Sequence, residues 1–334
     1  MRAVVCHSFD GMEALSFSHD VRPPDFNPSP EQAHIFGDVR IRVRAAGINF
    51  ADTLMIQGKY QVKPPLPFTP GMEVAGDVIE VGPHVSRVQV GQRVMAFVAH
   101  GGYAEEAVAA EASVYAVPDT MDWVSAAGFP ITYGTSCDAL MRGGALGKGD
   151  VLLVHGAAGG VGLTAVEVGK QLGATVIATA GGPEKLAIAA QYGADHLIDY
   201  RTEDIRKRVK ELTAGRGADV VFDPVGGEVF AASLRAVAQG GRIIVIGFAS
   251  GDIPQVPANI VMVKNITVTG YNFGGWRVLD PDGVRASMET LLDWYAAGEI
   301  KPHASHTFPL EDYAQALETL KARKSTGKVV LTVD

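Results

Sequence analysis

The residues with the clearest chemistry are His155-Gly156-Ala157-Ala158-Gly159-Gly160-Val161-Gly162. The run follows a short apolar stretch, Val151-Leu152-Leu153-Val154, and opens an amphipathic one. Small residues at such a turn let the backbone approach a pyrophosphate, whose negative charge is favoured at a helix N-terminus. A glycine-rich run alone also fits a tight turn that packs a helix closely on a sheet. Its place between strand and helix, inside several αβ units, is the setting that a dinucleotide site requires.

Which dinucleotide is decided at the end of the next strand. A site for NAD places Asp or Glu there, to hold the ribose 2′-hydroxyl. Here the stretch is Thr179-Ala180-Gly181-Gly182-Pro183, without an acid. Lys185 follows it, a cation placed to meet a 2′-phosphate, although a solvated helix residue is the plainer reading of one lysine. The missing acid and the open glycines make NADPH the expected cofactor.

Positioning these residues takes a regular scaffold, and the middle of the chain supplies one. Strands are expected at 151–154, 175–179, 196–199, 220–222, 243–246 and 266–269. Helices fall between them. Gly173 and Gly193 stop two of these helices, and Pro183 opens one in its first turn. Thr202 is expected to cap a helix with Ile205, Val209 and Leu212 on one face. Phe230, Leu234 and Val237 mark another helical face. Alternating strands and helices imply right-handed crossovers and a doubly wound parallel sheet.

The flanks differ. Val39-Arg40-Ile41-Arg42-Val43-Arg44 alternates apolar and charged residues, the period of a half-buried strand. Residues 74–81 and 93–98 are further short strands between glycine turns, which predicts a compact barrel or sandwich. Four prolines within residues 23–30 predict an extended loop. Near the end, Met288, Leu291, Leu292 and Tyr295 mark one helix, residues 310–320 contain another, and residues 328–333 form a last strand. The simplest topology inserts the parallel-sheet domain into the other domain.

Composition bounds the function. A chain of 334 residues is long enough for two domains at about 150 residues each. Hydrophobic residues are 47% and charged residues 20%, as in ordinary globular proteins. Glycine, at 39 residues, is well above the usual level of about 7%, which fits many tight turns. A net charge of −8 argues against nucleic-acid binding and against acidic membranes. Cys6 and Cys137 are too few for a disulfide framework or a four-cysteine zinc site. They are expected as two buried thiols in a reducing compartment. No run of 18 apolar residues is present to span a membrane. Met1-Arg2-Ala3-Val4-Val5 reads as a strand rather than a signal peptide. A cytoplasmic location is the default expectation.

Several stretches, in this order and spacing, carry a likeness. They are Ala45-Ala46-Gly47-Ile48-Asn49-Phe50-Ala51-Asp52, Pro70-Gly71-Met72-Glu73-Val74-Ala75-Gly76, Val90-Gly91-Gln92-Arg93-Val94, Phe129-Pro130-Ile131-Thr132-Tyr133-Gly134-Thr135, the glycine turn and Gly327-Lys328-Val329-Val330-Leu331. With them the chain resembles the medium-chain dehydrogenase/reductase superfamily over nearly its whole length. Within it, the likeness is to the zinc-free NADPH:quinone oxidoreductase branch, the zeta-crystallin-like proteins. The resemblance implies an α/β fold: a GroES-like β-rich catalytic domain, residues 1–122 and 271–334, plus an inserted Rossmann doubly wound parallel sheet, residues 123–270.

The resemblance also implies roles for residues. Asn49 stands where zinc-dependent alcohol dehydrogenases have a catalytic cysteine, and Met72 where they have a histidine, beside Glu73. Their cysteine-rich lobe is missing, so no metal site is expected. Asn49 and Thr132 would lie near the nicotinamide end of the cleft. Gly159, Gly160 and Val161 would lie under the pyrophosphate. Gly181, Lys185 and Tyr200 would surround the 2′-phosphate, and Val225, Phe248 and Lys328 would line the remaining groove. Tyr60, Phe273 and Trp276 are expected as substrate-side aromatics, with plain packing as the alternative.

The implied activity is NADPH-dependent hydride transfer to a quinone or similar conjugated carbonyl, without zinc. The same chemistry on a 2-enoyl thioester or enone is the alternative within the superfamily. An NADPH-binding structural or RNA-binding crystallin-like protein is the alternative from another class, against which the acidic charge and the intact turn weigh. The expected partners are a small-molecule acceptor and a second copy of the chain. The second copy would pair through the sheet edge at residues 268–271, because soluble proteins cover such edges.

Overall fold

The computed structural model of the chain describes residues 1–26 and 38–334. Backbone contacts divide the chain into two compact units, Met1–Ile131 with Pro302–Asp334, and Thr132–Lys301. Both divisions lie later in the chain than the expected boundaries at 122 and 270. Trp123–Ala127 packs on strands of the first unit, and Phe273 and Met288 pack against Gly134 in the second.

The first unit begins with β1 (Ala3–Cys6) and β2 (Leu15–Ser18), an antiparallel ribbon. β3 (Val39–Ile48) follows, then helix α1 (Phe50–Met55), β4 (Glu73–Val81), β5 (Arg93–Phe97), β6 (Glu106–Ala109), β7 (Val114–Ala116) and α2 (Trp123–Ala127). In β3, Val39, Ile41 and Val43 are buried while Arg40, Arg42 and Arg44 are not, as the alternation requires. Of the proline-rich stretch, residues 27–30 lie outside the described residues.

Helix α3 (Phe129–Asp138) contains the division between Ile131 and Thr132. The second unit then alternates: β8 (Val151–Val154), α4 (Gly160–Gln171), β9 (Thr175–Ala180), α5 (Pro183–Gln191), β10 (His196–Asp199), α6 (Ile205–Leu212), β11 (Ala218–Asp223), α7 (Gly227–Ala236), β12 (Val237–Val245), α8 (Ala258–Lys264) and β13 (Thr267–Gly270). Helices α9 (Phe273–Leu279) and α10 (Pro281–Ala296) complete it. The six strands are parallel, in the order β10-β9-β8-β11-β12-β13. Leu152, Leu153 and Val154 are fully buried, as a strand covered on both faces must be. The strand order reverses direction at β8, so the turn after β8 sits at the switch point where such sheets bind ligands.

Two local expectations change. Asp204, not Thr202, caps α6: its carboxylate accepts from the Lys207 N–H at 2.8 Å, and it directly precedes the helix. Val237 starts β12 rather than ending α7, because its backbone turns extended there.

The chain returns to the first unit as β14 (Ala304–Pro309), α11 (Tyr313–Lys321) and β15 (Lys328–Thr332). The unit's main sheet runs β14-β15-β3-β4-β5-β7, with β6 also on β3. Cys6 and Cys137 are both buried and unbridged. Among the described residues, no helix is long and apolar enough to cross a membrane.

Candidate functional site

In the first unit, three neighbouring strands bring polar side chains to one end of the sheet. β3 ends at Ile48 and runs into Asn49, β4 opens with Glu73, and β15 opens with Lys328. Lys328 Nζ donates to Ile48 O at 2.7 Å, to Asn49 Oδ1 at 2.8 Å and to Glu73 Oε1 at 2.7 Å. Asn49 Nδ2 donates to Glu73 Oε1 at 2.9 Å, and the Ile131 N–H donates to Glu73 Oε2 at 2.9 Å. All three side chains are buried. The ammonium has three hydrogens and three acceptors, so its capacity is filled. This also fixes the Asn49 amide, since a flip would set its NH₂ against the ammonium. Gly47 is required beside it, because a Cβ would collide with Glu73 Oε1 and the Ala127 carbonyl.

Asp52 lies on the first turn of α1 and reaches back to the same place. Its Oδ2 accepts from the Asn49 N–H at 2.7 Å and from the Tyr103 hydroxyl at 2.7 Å. Burial pushes the Asp52 carboxyl up to about 7, against the pull of those two donors and Lys328 and with help from Glu73. Burial, then the charge of Asp52, holds the Tyr103 phenol well above its usual range. Tyr60 is half-buried, and its phenol is raised by burial and then by Asp52. Tyr60 is therefore within electrostatic reach of this cluster.

In the second unit, the glycine turn is built by backbone and by one buried histidine. His155 is fully buried, with Nδ1 2.9 Å from Thr179 Oγ1 and Nε2 2.8 Å from Ser233 Oγ. It ties the turn to β9 and α7. The Gly159 N–H donates to the Gly156 carbonyl at 2.8 Å, and a Cβ on Gly162 would collide with that same oxygen. Gly159 caps α4 without a side-chain bond, so no side chain competes for the first N–H groups of the helix. Val225 Cγ2 would lie 3.4 Å from a Cβ on Gly156, and Phe248 lies 3.1 Å from one on Gly226. Asp223 shapes that loop by accepting from the N–H groups of Val225 at 2.8 Å and Gly226 at 3.0 Å. Thr132 is buried on α3, and its carbonyl is 3.0 Å from Thr164 Oγ1 on α4.

A second corner forms at the end of β9. A Cβ on Gly181 would lie 2.7 Å from Tyr200 Oη and 2.8 Å from Arg201 Nε. Lys185 is on the first turn of α5. Asp199 is the acid here, but its Oδ1 is spent on the N–H groups of Gly182 at 3.2 Å and Arg201 at 3.0 Å.

The structure thus brings Asn49 and Lys328 into one cluster, with Tyr60 near it. It brings Gly159, Gly160, Val161, Thr132, Val225 and Phe248 around the glycine turn, and Gly181, Lys185 and Tyr200 to the β9 corner. Lys328, expected along the cofactor groove, has its whole ammonium engaged in the Asn49 cluster. Phe273 is buried against Gly134. Trp276 stacks on Tyr271 at 6.3 Å, with the Arg142 guanidinium 4.7 Å from its ring. Both rings are used in packing within the second unit.

Asp52, Tyr103 and Arg201 were not singled out from sequence. The spacing Asn49-x-x-Asp52 at a helix start was a usable signal for the first, as in a capping box. Tyr103 has no local signal. Arg201 needed only the extension of the Tyr200 argument by one residue.

Comparison with known proteins gives a consistent likeness. Residues 36–119 match the alcohol dehydrogenase GroES-like domain family, and residues 160–297 match the zinc-binding dehydrogenase family. The quinone oxidoreductase-like protein 2 homolog of Nematostella vectensis is 42% identical, over 88% of this chain and 81% of its own. The quinone oxidoreductase of Pseudomonas aeruginosa is 36% identical over 97% of each chain. The crystal structure of Escherichia coli quinone oxidoreductase complexed with NADPH superposes with a TM-score of 0.89 at 30% identity, covering 99% of this chain and 100% of that one.

Proposed function

Because the chain belongs to the quinone oxidoreductase branch of the medium-chain dehydrogenase/reductase superfamily, we propose that it reduces a quinone, or a similar conjugated carbonyl, with NADPH and without zinc. Membership makes it an oxidoreductase. The observation that carries the finer reading is the Lys328 ammonium, saturated by Ile48, Asn49 and Glu73. By the family likeness, a cation of the protein itself would fill the place where zinc-dependent dehydrogenases keep ligands. Asn49 and Met72 provide neither thiolate nor imidazole, and both oxygens of Glu73 are already engaged. Among the described residues, no group of three His, Cys, Asp or Glu is placed to hold a metal. This donor set does not fit zinc, and no step is routed through it.

The turn fits a dinucleotide, because no side-chain cap competes for the first N–H groups of α4 and a Cβ on Gly181 would crowd Tyr200 and Arg201 at the β9 corner. The backbone at Gly159, Gly160 and Val161 would carry the pyrophosphate. Lys185, Tyr200 and Arg201 would hold the 2′-phosphate, with Val225 and Phe248 lining the rest. When bound, NADPH supplies a hydride. Hydride and one proton convert a quinone to a hydroquinone, with NADPH oxidised to NADP⁺. The protein's part is to orient the reactants and exclude water. The Asn49 amide is committed to Lys328 and Glu73, so it shapes the site, and Tyr60 would be the hydroxyl that donates to the acceptor oxygen. Phe50, Val62 and Leu66 are exposed apolar side chains flanking Tyr60 in the chain, suited to a flat acceptor. A cytoplasmic homodimer completes this reading.

A spectrophotometric panel following NADPH oxidation with quinones, enones and enoyl-CoA esters tests it. Rapid oxidation with a quinone is expected. Oxidation with an enoyl-CoA ester and no quinone would replace the acceptor class.

A further inference from the structure

Asp52 is fully buried, yet only one of its carboxylate oxygens has a partner. Oδ2 takes the Asn49 N–H and the Tyr103 hydroxyl, while Oδ1 is buried with none. An ionised carboxylate leaves a share of its charge on such an oxygen, without a protein donor to stabilise it. The neighbours offer no spare positive charge. Lys328 is 2.7 Å from Glu73, and that pair already balances. The other ionisable groups facing Asp52 are Tyr103 from the loop after β5 and Tyr60 from the segment after α1, both neutral acids. α11 and the Gly11–Ala14 turn also pack on α1, and their ionisable side chains are the exposed Glu13, Glu318 and Lys321 and the half-buried Tyr313. Ionising Asp52 would therefore leave one unbalanced negative charge in the Asn49–Glu73–Lys328 cluster.

We propose that Asp52 is a positioning residue that keeps a proton on Oδ1 at neutral pH while Oδ2 holds Asn49 and Tyr103, and that losing this proton slows the reduction. The inference rests on the reading that Asn49 stands at the reacting end of the site. The acceptor oxygen gains negative charge as hydride arrives, so a fixed negative charge nearby opposes the step. Asp52 acts through Asn49 and through its charge, without touching the reactants. The push of its carboxyl to about 7 places the change within the working range of an ordinary assay.

Two readouts across about pH 5 to pH 9 test this. Infrared spectra of the full chain without cofactor should contain a protonated-carboxyl band component that disappears near neutrality and is missing from Asp52→Asn. The wild-type kcat for NADPH oxidation should fall roughly tenfold per pH unit above the same pH and stay level in Asp52→Asn. Tyr103→Phe removes a donor that favours the ionised form, so both the band loss and the rate break should move to higher pH. That variant keeps the test open if Asp52→Asn does not fold. A band unaffected by both substitutions, or a rate break identical in all three proteins, would overturn the proposal. Inactivity toward every acceptor would instead count against the functional reading, because the band reports the Asp52 proton without turnover.

Discussion

Lys328 Nζ and Glu73 Oε1 meet at 2.7 Å in a pair whose side chains are 7% and 0% exposed. The contact joins the first residue of β15 to the first residue of β4, and Asn49 bridges the two. Its value is conditional. Such a pair must offset the desolvation of both charges, and it does so only while the surrounding hydrogen bonds are intact.

Removing one partner should therefore cost more than removing both. Lys328→Met or Glu73→Gln alone leaves a buried charge or donor without its counterpart, at about 3–5 kcal/mol. The double substitution should lose much less than the sum. Urea denaturation of the four proteins measures this, and additive losses would show that the groups do not depend on each other.

Cofactor choice should reside at the β9 corner. Lys185→Ala and Arg201→Ala should each weaken NADPH by about 1.5–3 kcal/mol, the worth of a charge-assisted phosphate contact, and leave NADH nearly unchanged. Fluorescence titration of both nucleotides checks it. Equal weakening of both would mean that neither side chain reads the phosphate.

Asp52 and Glu167 should lower stability as pH rises from about 4 to about 7, against the opposite contribution of His100, His155 and His303, whose imidazoles burial holds below their usual range. Asp52 and Glu167 are both pushed up to about 7, chiefly by burial. Within that window the folded chain holds two protons that the unfolded chain has released. Each group then costs about 1.4 kcal/mol per pH unit, and the loss is complete above the folded pKa. Asp52→Asn or Glu167→Gln should each remove one share of the slope. Chemical denaturation at several pH values would contradict this if the pH slopes of both variants matched that of the wild type.

The chain should form a homodimer. β13 ends the six-stranded sheet, and Met262 and Val263 on the preceding helix are 70% and 67% exposed. An open edge beside exposed apolar side chains invites a second copy. Light scattering should give twice the chain mass, shifting to a monomer in Met262→Asp/Val263→Asp. A monomer mass for the wild type at micromolar concentration would count against it.

The parallel sheet was legible in sequence because its strands are short apolar runs separated by glycine stops, as with Val151-Leu152-Leu153-Val154 before the glycine turn. Periodicity carries that information locally. At the β9 corner, Gly181 and Lys185 lie a few residues apart and were legible locally, whereas Tyr200 came only with the family likeness and Arg201 with neither. The Asn49 cluster was only half legible. Asn49 and Glu73 lie in recognisable stretches, but their meeting with Lys328, nearly the whole chain away, depends on strand register. The Asp52–Tyr103 bond is another long-range contact of that kind. Helix α6 shows a smaller gap, as Thr202 and Asp204 are both capping types and only the backbone decides between them.

The proposed reaction is hydride transfer from NADPH to a quinone without zinc. An anaerobic single-turnover experiment on chelator-treated protein, with NADPH and a simple benzoquinone, tests it most directly. One NADPH should be consumed for each hydroquinone formed, at the same rate before and after chelation. No oxidation, or oxidation restored only by added zinc, would contradict it.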